Sequence, residues 1–117
     1  MRNVLKLSLV LCASGLALPA LAQNAPGVTD SEIKIGQTMP YTGPVTAYST
    51  LGKGEVAYFK MLNDQGGVNG RKINLLSLDD GYAPPRALEQ TRKLVEQDGV
   101  AFIFSSIGTA VNTATQR

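Results

Sequence analysis

Between Tyr41 and Tyr48 the chain places two phenols and two threonine hydroxyls, Tyr41, Thr42, Thr46 and Tyr48, on a segment that Pro40, Gly43 and Pro44 keep from continuing as strand or helix. Such groups donate and accept hydrogen bonds and offer flat apolar faces, so the chemistry on offer is recognition of a small molecule. A second place of this kind is Gly108-Thr109-Ala110, where a hydroxyl and backbone N–H groups follow an apolar run. Amides and a hydroxyl at a helix start can hold a small carboxylate. Taken alone, each segment also has a purely structural explanation, since threonine is a common N-cap and strand-to-helix loops occur without ligands. Two such loops on one sheet favour a site jointly.

Other chemistries are poorly supplied. The sequence holds no histidine and one cysteine, Cys12, so the common acid/base and nucleophile sets lack their usual members and an enzyme is disfavoured. Asp79 and Asp80 are adjacent at a strand end and point to opposite sides, which suits turn capping better than a carboxylate dyad or a metal site. Gly52-Lys53-Gly54 and Gly66-Gly67 fit neither a dinucleotide loop nor a P-loop. No cofactor and no metal are expected.

These loops need a frame, and the patterning supplies one. Ile33, Ile35 and Met39 have strand spacing, and Ser49 to Asp64 carries Leu51, Val56, Tyr58, Phe59, Met61 and Leu62 on a broad helical face. Gly52 and Gly54 are expected to let that helix approach the sheet closely. Gln65-Gly66-Gly67 ends it, Asn69-Gly70 is a tight turn, and Ile73 to Leu78 is a second strand. Pro84 and Pro85 open a helix from Arg86 to Asp98, with Ala87, Leu88, Thr91, Leu94 and Val95 as its stripe and Glu89 four residues before Lys93. Val100 to Phe104 reads as a central parallel strand buried on both faces, and Val111 to Arg117 as the first turns of a third helix. The order βαβαβα predicts an α/β fold, a three-layer parallel sheet with helices on both faces. Ligands of such sheets bind beyond the carboxyl ends of the strands, where both candidate loops lie.

The first 22 residues are a different kind of segment. Arg2 and Lys6 precede an apolar run from Leu7 to Leu18, followed by Pro19 and Ala20-Leu21-Ala22, the pattern of a secretory signal peptide and its cleavage site. The run is shorter than the ~20 residues of a membrane span. Cys12 does not fit a lipid-attachment site, because Leu11 stands where Gly, Ala or Ser is required. Removing 22 residues from 117 leaves 95, the size of a small domain, without cysteine. The precursor has eleven Lys plus Arg against nine Asp plus Glu; without Arg2 and Lys6 the balance is zero, and the remaining cations are dispersed. Nucleic acid is therefore not an expected partner. Gln23 to Thr29 reads as a flexible lead. Val111 to Arg117 carries no stop signal, which suggests a partial chain.

Several segments together resemble one family. Gly27 to Gly36 (GVTDSEIKIG), Thr42 to Pro44 (TGP), Gly66 to Ile73 (GGVNGRKI), Asp79-Asp80, and Leu94 to Val100 (LVEQDGV) are similar, in order and spacing, to the periplasmic substrate-binding proteins of branched-chain amino acid ABC transporters, the leucine/isoleucine/valine-binding type. The resemblance implies a monomeric, two-lobed, hinged receptor that clamps an amino acid outside the inner membrane, in the periplasm, and presents it to a membrane permease. Residues 23–117 would form the N-terminal part of lobe one, without hinge, second lobe or that lobe's acid for the ammonium group. By position, Tyr48 matches an aromatic lining the side-chain pocket and Thr109 a hydroxyl residue binding the ligand carboxylate, with backbone contacts at Gly108 and Ala110. The loop I-G-T-A-V-N departs from the serine-rich loop of leucine-type members, so branched-chain specificity is the default and an aromatic acid or amide the alternative. A sensory domain on the same fold, an enzyme, and an inactive truncated product are the competing readings.

Overall fold

The computed structural model describes residues 25–116. The expected signal peptide, residues 1–22, and Cys12 lie outside the described residues. Strand β1, Glu32–Met39, pairs in parallel with β2, Lys72–Asp79, from Glu32↔Lys72 to Met39↔Asp79. The α-helices among the described residues are α1, Ser49–Asp64, α2, Pro84–Arg92, and α3, Thr109–Thr115.

Side-chain parity on β1 separates the two helical layers. Gln37 bonds Glu55 of α1, and a Cβ added at Gly52 of α1 would stand 2.7 Å from Met39 Cγ, so the odd-numbered residues face α1. Gly36 lies against Leu94 and Ile103, and Thr38 bonds Ser106, so the even-numbered residues face the α2 and α3 side. This is the expected parallel sheet with helices on both faces. Ile35 through Pro40 are buried, which makes β1 the centre of the layers. Gly52 delivers the expected close approach, whereas Gly54 faces open space.

The third expected strand is realised only in part. Residues 101–104 run beside β1 on the edge opposite β2, through Ala101 N–H to Lys34 O (2.8 Å), Gly36 N–H to Phe102 O (3.0 Å) and Phe104 N–H to Gly36 O (2.7 Å). They form one parallel bridge, Gly36↔Ile103, and not a ladder. Burial on both faces also fails: the Phe104 ring meets Phe59 of α1 edge-on at 5.6 Å, but Phe102 is 53% exposed. Helix α1 lies over β1 and β2 and meets this outer row at Phe104 through the Phe59 ring, and Phe102 is left uncovered among the described residues. Only Phe59 and Leu62 of the predicted α1 face are partly covered, and Leu51, Val56, Tyr58 and Met61 are exposed.

Connections follow local chemistry. Asn69 and Gly70 both have positive φ and close a two-residue turn between Val68 and Arg71. Asn63, at the end of α1, receives Ile73 N–H on Oδ1 and donates from Nδ2 to Ile73 O, both at 2.7 Å, which fixes where β2 begins. Helix α2 passes into a π turn, Lys93–Gln97, closed by Asp98 N–H to Lys93 O. That turn brings Asp98 beside Lys93, which pairs with it at 2.8 Å and not with the expected partner Glu89. The lead segment is also more engaged than expected: Lys34 N–H donates to Gly27 O (2.7 Å) and Thr29 Oγ1 accepts from Glu32 N–H (2.9 Å).

Candidate functional site

Parallel strands send their connections out of the same edge, so three loops gather beyond the carboxyl ends of β1, β2 and the 101–104 row. In the first, Tyr41 turns inward and its phenol meets Ser77 Oγ at 2.6 Å. Thr42 is likewise committed: its N–H donates to Asp79 Oδ1 (3.0 Å) and its hydroxyl to Asp79 Oδ2 (2.6 Å). Of the four side chains in this loop that seemed available to a ligand in sequence, two therefore build the scaffold. Thr46 and Tyr48 occupy a short 3-10 turn, Thr46–Tyr48, with Tyr48 49% exposed just ahead of α1.

Asp79 is the brace between the first loop and the second. Besides Thr42 it accepts from Gly81 N–H (3.1 Å) and pairs with Arg86 (3.0 Å). Partial burial pushes its carboxyl upward, but the Thr42 hydroxyl, the Thr42 and Gly81 amides and the Arg86 guanidinium outweigh that and hold it below the ordinary aspartate value. Asp80 is buried and caps the turn through Oδ1, which accepts from Tyr82 N–H at 2.8 Å. Both acids thus have the turn-building role read from their positions. Among the described residues, no cluster of three or more His, Cys, Asp or Glu is arranged to hold a metal ion.

Tyr82, with φ +59°, ties the second loop to the third. Its ring occupies the space that a Cβ on Gly108 would need, and Gly108 itself has φ +115°. Glycine is required there twice, by conformation and by contact. Gly108 is the N-cap residue of α3, with no side chain capping the helix, so Thr109 is the first helical residue and not the cap. Its side chain is exposed. Ala110 is exposed and borders a groove with Leu88 and Arg92 of α2, which leaves its first-turn N–H as the group it offers.

All four positions singled out in sequence, Tyr48, Gly108, Thr109 and Ala110, thus stand on loops or helix starts at one sheet edge. The residues that link those loops, Asp79, Thr42 and Tyr82, were not legible as links. A bond between loops has no periodicity, although the consecutive left-handed residues Gly81 and Tyr82 in D-D-G-Y mark an unusual turn.

Comparison with known proteins agrees with this architecture. The Leu/Ile/Val-binding protein homolog 1 of Brucella abortus is 33% identical over 99 residues, which cover 84% of this chain and 26% of that protein. A fatty acid ABC transporter substrate-binding protein from Thermomonospora curvata superposes with a TM-score of 0.65 at 26% identity, over 80% of this chain and 24% of that one. A branched-chain amino acid transporter substrate-binding protein from Streptococcus pneumoniae, solved with isoleucine, gives a TM-score of 0.68 at 24% identity over 73% and 25% of the two chains, a likeness of fold. The chain spans about a quarter of the length of these relatives. The periplasmic binding protein family matches residues 32–117, and to that family this chain belongs.

Proposed function

We propose that this chain is the N-terminal part of lobe one of an exported solute receptor that delivers a small carboxylate-bearing ligand, an amino acid by default, to the permease of an ABC importer. The observation that carries the reading is the cross-braced edge, where Asp79 and Tyr82 hold three strand-end loops in one arrangement while Tyr48 and Thr109 remain exposed upon it. Preorganised donors bind a ligand without the entropic cost of ordering them, which is what a receptor requires. In this reading the Thr109 hydroxyl and the amides at Gly108 and Ala110 hold the carboxylate, and Tyr48 lines the space for the side chain. The receptor works as a monomer in the periplasm, reached through the signal peptide of residues 1–22, and needs neither metal nor cofactor. A second lobe, beyond this chain, supplies the opposing jaw, and closure of the two signals the liganded state.

The name of the Thermomonospora curvata protein favours one alternative ligand class, a longer carboxylic acid, which shares the carboxylate chemistry and differs in its apolar part. A thermal-shift panel on the full-length protein separates them. Leucine, isoleucine and valine should raise the melting temperature if the default holds, fatty or aromatic acids if it does not, and no response to any carboxylate would remove the receptor reading. With the ligand known, Thr109→Ala should weaken binding about tenfold, the loss of one charge-assisted hydrogen bond. Tyr48→Ala should weaken large side chains more than small ones, and calorimetric titration measures both.

A further inference from the structure

Beneath α1 a line of side chains crosses the sheet. Gln37 on β1 is completely buried; its Oε1 accepts from Ser77 Oγ of β2 at 2.7 Å, and its Nε2 donates to Glu55 of α1. With the Ser77 proton spent on Gln37, the Tyr41 phenol must be the donor in its bond to Ser77. On the far side Ser105 Oγ donates to Glu55 Oε1 at 2.6 Å. Donors therefore run from both ends toward one carboxylate, and bonds aligned in this way reinforce one another. The three salt bridges found among the described residues do not include Glu55.

Ser105 is where this line meets the candidate site. It has φ +52°, a left-handed conformation that a serine adopts only at some cost, and it turns the chain out of the 101–104 row toward Gly108. Ser106 follows, accepting from the Thr38 amide and hydroxyl, both at 3.2 Å. We infer that Glu55 is a positioning residue: its carboxylate holds Ser105 left-handed and so sets the path of the loop that presents Gly108 and Thr109. This rests on the receptor reading only for its effect on ligand binding, because the effect on the loop is separate.

Glycine adopts positive φ without assistance, so Ser105→Gly supplies the test. In the full-length protein, Glu55→Ala should weaken ligand binding about tenfold. Without ligand it should speed hydrogen exchange by a similar factor at the Asn112 amide, which donates to Gly108 O, and at the Thr38 amide. Ser105→Gly alone should resemble the wild type, and the double variant should return to within about threefold of it on both readouts. A double variant as impaired as Glu55→Ala, or exchange unchanged in Glu55→Ala, overturns the inference. If Glu55→Ala does not fold, Glu55→Gln, which keeps the shape and loses the charge, should give a smaller change of the same sign that Ser105→Gly removes; no change overturns it. If no carboxylate binds the wild type, the receptor reading fails while the exchange result still decides the role of Glu55.

Discussion

Asp79 is the residue on which the arrangement of the loops depends most directly, since it takes two bonds from Thr42, one from Gly81 and a salt bridge from Arg86 with its side chain 19% exposed. Its carboxyl is held below its ordinary value of 3.8, so the stabilisation is present above that pH and is lost as the pH falls from there through the folded-state value. Asp79→Ala should cost about 2 kcal/mol at neutral pH, the scale of a charge-assisted bond to a mostly covered group. It should also flatten the acid limb of a plot of stability against pH, and denaturant melts from neutrality into acid check both. Gly108 is the other decisive position. Gly108→Ala drives a methyl into the Tyr82 ring at a φ of +115°, so a loss of about 1–3 kcal/mol is expected, with weakened binding in the full-length protein. An unperturbed melt would mean that the two loops part freely.

At the scale of elements, helix and strand are joined by side-chain bonds to backbone as much as by apolar packing. Asn63 closes α1 onto β2 through two bonds to Ile73 and satisfies backbone groups that begin the strand. Asn63→Ala should destabilise the chain by about 2 kcal/mol, while Lys60→Ala, one turn earlier in an exposed pair with Asp64, should change it by less than about 0.5 kcal/mol. Urea melts of the two variants side by side test the contrast. The π turn after α2 shows why charge spacing alone misled: Glu89 and Lys93 keep their α-helical spacing, but the wider turn that follows returns Asp98 beside Lys93, and the ammonium pairs there.

Over the whole molecule, the described residues leave one flank of the sheet and the outer face of α1 uncovered. Leu51, Tyr58 and Met61 of α1 and Phe102 on the edge row are each about half exposed, a concentration of apolar surface that isolated soluble domains rarely present. Residues 23–117 made alone should bind a hydrophobic dye and associate as concentration rises, and the full-length protein should do neither. Sedimentation of both at several concentrations decides it; a monodisperse, dye-silent 23–117 would mean that this surface is stable in water.

Two strands, three helices, the tight turns and the family resemblance were legible residue by residue, because periodicity, glycine and proline are local signals. The sequence by itself also located the edge where a ligand is proposed to bind, since parallel strands can only send their loops one way. Tertiary structure alone decided which loop side chains are spent on the scaffold, that Tyr41 faces inward and Thr42 is held by Asp79, and that Gly108 is reserved for the ring of Tyr82. It decided as well that, among the described residues, 101–104 make a single bridge to β1 and leave Phe102 half exposed, because burial belongs to whatever lies alongside and not to the hydrophobicity of the segment. Partners dozens of residues apart leave no mark on one another's spacing, so only the folded chain reveals them.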